Sequence, residues 1–348
     1  MTRSRTVPML LLLVLGVLAV PAAAQPFNAW LTLPSGNGYV QIPPSGFDFT
    51  TGFTFEAWVS VSDDFPTTGT GTGCSSIVGK NYLQAFWIGV CGTQLRSYIK
   101  GGSSALTGGT LPRNEFHHIA VTYDGNVRKH YIDGEEVASR DETGPMTFST
   151  DNVRIGSDVS WEHTAHGSYD EVRFWNVART KAEIRASINK TITSGSALSV
   201  YHFDANANDP FGNRNGTLVG TANFFTSAVA LTCGTGSTTS LCLESKYLVS
   251  TRWVDFAGNR GVGTVVPGAS ASSGLFWFFG ADNWEVLVKE LNGCGVNNRH
   301  WVFAAATTNV HYELIVTYVA SGETKRYFNY LNENAPAVTD TGAFATCP

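Results

Sequence analysis

The sequence predicts an all-β chain folded as two successive sandwiches. Across residues 116–123, Phe116, His118, Ala120 and Thr122 alternate with His117, Ile119, Val121 and Tyr123, the period of two that marks a strand. Asp124-Gly125-Asn126 and Asp133-Gly134 then bracket a second short strand, residues 129–132, and supply the positive φ that tight hairpin turns need. Past residue 242, about seven short apolar runs are separated by Gly/Asn-rich turns, the spacing of a small, immunoglobulin-like sandwich. Composition agrees. Charged residues make up only 15% of the chain, while 36 glycines and 12% aromatics favour turns and strands.

In chain order, Arg3 and Arg5, an apolar run over residues 9–20 and Ala22-Ala23-Ala24 read as a secretory signal, residues 1–24, cleaved before Gln25. The run is short for a bilayer span, and no later segment is apolar enough to be transmembrane. Loss of residues 1–24 removes two basic residues and no acidic one, taking the net charge from −5 to −7. A mildly acidic surface argues against nucleic acid as partner. The chain divides into a first domain over residues 25–225, a Ser/Thr/Gly-rich linker over 226–241 and a second domain over 242–348. Residues 169–175 read as a strand, and the polar stretch 180–188 has helical spacing. Phe276-Trp277-Phe278-Phe279 alternates across a strand, which leaves half of it for an exposed patch packed on the first domain.

Six cysteines, Cys74, Cys91, Cys233, Cys242, Cys294 and Cys347, imply disulfides in an exported chain, with 15 pairings open. The favoured set is Cys74–Cys91, Cys233–Cys242 and Cys294–Cys347. Zinc is the rival reading, but the sequence has no Cys-x-x-Cys pair and no evident Cys/His cluster.

Several motifs together carry a resemblance. GYVQIPPSGFDFTTGFTFEAWV (residues 38–59), HHIAVTYDG with YIDG, YDEVRFWNVART and ALSVYHFD (residues 197–204) follow in order. This pattern resembles the laminin-G-like jelly roll of the concanavalin A-like lectin/glucanase superfamily over residues 27–225. The remainder, with RWVDFAGNRGVG and GLFWFFGADNWEVLVKELNGC, is similar to a β module of secreted bacterial proteins to which no activity is attached. The resemblance implies a structural Ca²⁺ with Asp170 as main ligand and oxygens of the opening loop, Gly36 and Asn37 among them, as partners. The family commonly has Asp where this chain has Asn37. The alternative for this pair is that Asp170 caps a strand end and Glu171 pairs with Arg173.

Other chemistry finds little support. The glucanase Glu-x-Asp-x-x-Glu motif, which places alternate carboxylates on one strand face, is absent. The acidic pairs Glu135-Glu136 and Asp141-Glu142 fall in or after turns and read as solvated. His117 and His118 are neighbours on a strand and point to opposite faces. The expectation is therefore a non-catalytic protein, secreted or extracytoplasmic (periplasm or cell surface), that binds a glycan or a cell-surface or matrix protein. Loop residues Trp161, His163, Trp87 and Tyr98 would supply stacking and polar contacts. A structural component of the bacterial envelope and a polysaccharide-active enzyme are the alternatives.

Overall fold

The computed structural model describes residues 29–34, 37–50, 52–62, 73–102, 104–160, 166–226, 233–234 and 237–348. The expected signal residues 1–24, Gly36, Trp161, His163 and parts of the linker lie outside the described residues.

Among the described residues the chain is nearly all β, with four antiparallel sheets in two packed pairs. The first sheet runs Glu135–Asp141, Val127–Ile132, His117–Tyr123, Phe53–Val61, Gly167–Trp175, Ala29–Leu33, Asn223–Thr226, with Ser199–Tyr201 also paired to Gly167–Trp175. The second runs Thr217–Val219, Tyr39–Ile42, Val153–Ile155, Cys74–Gly79, Trp87–Cys91, Gln94–Tyr98, Leu106–Thr110. Strands distant in sequence are neighbours in both sheets, as in a jelly roll. Alternate residues from each sheet (Phe53, Phe55, Val59, Ile119 and Val121 facing Val40, Ile77, Ile88, Val90 and Leu95) close one apolar core.

The expected hairpin forms from His117–Tyr123 and Val127–Ile132, and the Asp124 carboxylate accepts the amides of Asn126 and Val127 to fix its turn. Asp133 and Gly134, at φ 50° and 77°, then turn the chain into Glu135–Asp141. Glu135 and Glu136 thus follow a turn, as read, while Asp141 is the last residue of a strand. The Glu142 that follows it ion-pairs with the buried Arg128 at 2.9 Å. The helical stretch is Lys181–Ser187, begun by a reciprocal capping box between Thr180 and Glu183. It buries Ile184 against Ala120 and Tyr131, on the outer face of the first sheet.

The second pair of sheets is Ser240–Leu243, Tyr247–Val254, His311–Tyr318, Thr324–Asn329, with Arg260–Val262 beside Tyr247–Val254, facing Thr264–Val265, Ser273–Gly280, Asn283–Asn292, His300–Ala306, Val338–Phe344. Both sheets feed one core (Leu243, Val249, Phe276, Phe278, Val288, Val302, Leu314, Phe344). Three disulfides form, Cys74–Cys91, Cys233–Cys242 and Cys294–Cys347.

Phe53–Val61 explains how the two halves meet. Its odd-numbered residues enter the jelly-roll core, yet Glu56 and Trp58 on the opposite face are also fully buried. A strand buried on both faces needs a cover, and the C-terminal sandwich helps to supply it. Trp58 packs on Ile188 with Phe328 stacked beside it at 6.2 Å, while Arg326 lies 5.5 Å over the indole. At the rim Arg185 bonds Glu333 at 2.6 Å and sits 3.5 Å over the Tyr330 ring. The aromatic run at 276–279 does not make this contact. Phe276 and Phe278 enter the C-terminal core, and Phe279 stays half exposed against Trp253.

Candidate functional site

Among the described residues, three places in or beside the jelly roll gather polar or aromatic groups, and they differ in how completely those groups are satisfied. The first is the Asp170–Glu171 pair. The strand carrying it should alternate, but Glu171 has φ 46° and the register with Phe53–Val61 slips between Asp170 and Arg173. This bulge turns both acidic residues off the core face, while Tyr169, Val172 and Phe174 remain in it. Glu171 bonds Arg173 at 3.0 Å and His202 at 2.7 Å. Arg173 in turn donates to the Ser187 carbonyl at 3.1 Å and lies 3.8 Å from Glu56. Burial pushes the Glu56 carboxyl up, but the His118 hydrogen bond and the charges of Arg179 and Arg173 overcome it and bring the pKa to about 2.

The donor set expected for Ca²⁺ does not assemble from Asp170 and Asn37. Leu33 pairs with Gly167, so Asn37 lies beyond that end of the strand, while Asp170 lies three residues in the other direction. At about 3.3 Å per residue this alone separates them by roughly 10 Å. Asp170 is fully buried, and burial first, then the Glu171 and Asp204 charges, hold its carboxyl well above the usual range. The pairing of Glu171 with Arg173 is the arrangement found.

The second place is a cavity of about 240 Å³ at the seam, lined by Glu115, His117, Asp133, Arg252, Arg260 and His311 among others. Its charges largely answer each other. His117 bonds Asp133 at 2.7 Å, and Arg252 lies 3.2 Å from Glu115. Burial disfavours a charged His117, but the charge and hydrogen bond of Asp133, aided by Glu115 and Glu313, raise its pKa from 6.5 to about 9. A raised histidine stabilises the fold fully below its unfolded pKa and loses that contribution as pH rises through the folded value. His117→Gln is therefore expected to be less stable than the parent by on the order of 3 kcal/mol at pH 6 and to converge on it near pH 10. Paired urea melts at the two pH values check this, and a gap that widens with pH contradicts it.

The third place is the outer face of the second sheet. On Trp87–Cys91 and Gln94–Tyr98, Ile88, Val90 and Leu95 point into the core, so Trp87 and Tyr98, paired across the strands, point out. Tyr82 from the preceding turn completes a three-ring cluster. Its centroid is 4.8 Å from Tyr98 and 6.3 Å from Trp87, both edge-on, with Trp87 and Tyr98 5.9 Å apart. Trp87 donates to the Ser76 hydroxyl at 2.7 Å. Gly89 makes room for the indole, since a Cβ there would lie 2.4 Å from its ring.

Asp158 builds the rim. Its buried carboxylate accepts the amides of Asn81, Tyr82 and Ser160 and the Ser160 hydroxyl, all within 3.0 Å. Gly79 lets it approach, because a Cβ would meet Asp158 Oδ1 at 2.3 Å. Along the same face lie Arg96, bonded to Thr107 at 2.7 Å, and Arg154, 4.6 Å over the Tyr39 ring and bonded to the Asp158 carbonyl. Tyr82, Tyr98, Arg96, Arg154, Tyr39 and Gln41 are all partly exposed.

Of the residues the sequence singled out, Tyr98 therefore stands on an open aromatic face. Trp87 needs a correction: it is 0% exposed, so its ring is the floor beneath Tyr82 and Tyr98 and has no free surface to offer a ligand. Asp158 and Arg154 carried no recognisable signal, since neither belongs to a local motif.

With this geometry in place, residues 34–185 match a laminin-G family model described as the concanavalin A-like lectin/glucanases superfamily. No curated protein sequence matches the chain. Among solved structures the chain is similar to a Bacteroides ovatus protein assigned provisionally to carbohydrate binding (22% identity, TM-score 0.49, 59% of this chain), and it spans only 61% of that protein. It is also similar to the heptameric SAP-like pentraxin of Limulus polyphemus (13% identity, TM-score 0.41, 57% of this chain and 95% of that one). A third similarity is to the LG4-5 domains of the mouse laminin α1 chain (12% identity, TM-score 0.37, 94% of this chain and 84% of that one).

Proposed function

We propose that the chain is a non-catalytic binding protein of an extracytoplasmic compartment, and that it holds a saccharide on the outer face of its second sheet. The observation that carries this reading is the Tyr82–Trp87–Tyr98 cluster, with two partly exposed rings standing on a buried third. Aromatic rings present an apolar face with a polar tip, and the C–H face of a sugar ring packs on such a surface while its hydroxyls reach flanking donors. Arg96, Arg154 and Gln41 are placed on the same face to meet them. The partly exposed residues run across one sheet face from Tyr39 and Gln41 to Tyr98, which suits a run of sugar units more than a single small molecule. Ser160, held at the edge of the cluster by Asp158 and within reach of the Leu83 amide, leads in sequence to Trp161 and His163.

Three disulfides suit an oxidising compartment. Among the described residues, no helix is long and apolar enough to cross a membrane. Binding to a panel of immobilised polysaccharides tests the proposal. Tyr82→Ala and Tyr98→Ala are each expected to weaken retention at least tenfold, about 1.4 kcal/mol, while the melting temperature moves little because both rings are partly exposed. Retention unchanged by both substitutions rules out this face.

A further inference from the structure

We infer that the C-terminal sandwich carries a latent thiolate–imidazole site for a zinc-class cation, built from Cys294, His300 and Cys347 and opened by reduction of the Cys294–Cys347 disulfide. The sequence hides it, because the two cysteines are 53 residues apart and neither lies in a Cys-x-x-Cys pair. The sheet assembles it. His300 begins its strand opposite Asn292 on one side and Phe344 on the other. Cys294 follows Asn292 by two residues, and Cys347 follows Phe344 by three. The Sγ atoms and a ring nitrogen of His300 all lie within 4.8 Å of one another.

His300 is the second, independent pointer. It is 2% exposed, and its Nε2 has no hydrogen-bond partner. Its Nδ1 lies 2.6 Å from Glu290 Oε1, on a carboxylate that is itself buried. A buried imidazole with one nitrogen bonded to a carboxylate and the other unmatched is costly as pure structure. It is the arrangement in which a carboxylate fixes the tautomer and orientation of a metal-ligating histidine.

In the oxidised chain the two sulfurs bond each other and cannot take a cation. A dithiol reductant opens the bond by thiol–disulfide exchange. Two electrons and two protons convert the disulfide into two thiols, and the dithiol leaves as its own disulfide. A bound cation then displaces both thiol protons. With zinc–sulfur bonds near ~2.3 Å and tetrahedral angles, the sulfurs need only part to roughly 3.7 Å. The cysteine Cα atoms, 5.6 Å apart, allow this by side-chain rotation. Two sulfurs and one nitrogen leave a fourth position for water, which reaches the site because both cysteines are partly exposed.

Titration of the full chain with Co²⁺, before and after dithiothreitol reduction and removal of the reductant, tests the inference. Thiolate-to-cobalt charge transfer in the near ultraviolet is expected only after reduction, with Zn²⁺ displacing the cobalt. Cys294→Ser/Cys347→Ser, which keeps the other four cysteines, should lose the band. His300→Ala should weaken cobalt binding at least tenfold, and Glu290→Gln should weaken it 10–100-fold with the melting temperature followed alongside. No band in the reduced parent overturns the inference. So does an equal band in the double serine variant, or cobalt affinity unaffected by either His300→Ala or Glu290→Gln, as a reduced and unfolded chain would show.

Discussion

Trp58→Ala is expected to destabilise the protein by about 3–5 kcal/mol. Trp58 sits mid-strand on Phe53–Val61, fully buried, with its indole nitrogen donating to the Ile188 carbonyl at 3.0 Å and its ring against Ile188 and Phe328. Alanine removes the largest apolar group at the seam, leaves the Ile188 carbonyl without that donor, and takes the cation–π partner from Arg326. The collapse that sometimes relieves a cavity is resisted here, because one wall belongs to each half of the chain. Urea unfolding measures the loss, and limited proteolysis near residue 240 should accelerate as the halves part. A loss below about 1 kcal/mol contradicts the claim that this residue joins them.

Arg173→Leu is expected to cost a similar 3–5 kcal/mol, for a different reason. The guanidinium is fully buried and serves Glu171 and, more distantly, Glu56, and it also bonds the carbonyls of Ser187 and Lys190. Leucine fills much of the volume but leaves two carboxylates and two carbonyls short of a partner. The penalty comes from the groups left behind. It should shrink as pH falls, because without the guanidinium burial raises the Glu56 and Glu171 carboxyls and they take up protons at a higher pH in the variant than in the parent. Melts of parent and variant between pH 7 and pH 4 check this, and a difference independent of pH refutes the electrostatic account.

The parts of the fold that were legible were those with local causes. The hairpin from His117 to Ile132 followed from alternation and Asp-Gly turns, and strands such as Tyr247–Val254 and His311–Tyr318 fall among the short apolar runs past residue 242. The helical spacing over 180–188 gave the short helix, and the structure adds the capping box of Thr180 and Glu183 at its start. What stayed hidden depends on distant pairing. The linker reading over 226–241 takes in Ser240 and Leu241, which become part of the strand Ser240–Leu243 only beside Tyr247–Val254. The bulge at Glu171 did leave a trace, since Asp170-Glu171 between Tyr169 and Val172 breaks the period of two, but the strand read as regular puts one carboxylate inward.

The candidate site was half visible for the same reason. Tyr98 and Trp87 were recognisable as aromatics near loops, while their exposure was not: Trp87 lies under Tyr82 and Tyr98 because register sets it opposite Tyr98. Asp158 shapes the rim across 77 residues of sequence from Asn81, which no local pattern conveys. The glycines Gly79 and Gly89 gave a clue of the right kind, a strand position where something approaches closely.

The most direct measurement is a calorimetric titration of a polysaccharide retained by the parent protein against the parent and the Tyr82→Ala/Tyr98→Ala double variant. The account predicts measurable heat with the parent, an affinity at least a hundredfold weaker or undetectable in the double variant, and closely matched melting temperatures. Equal affinity in the two proteins would show that saccharide binds elsewhere or that the aromatic face serves another partner.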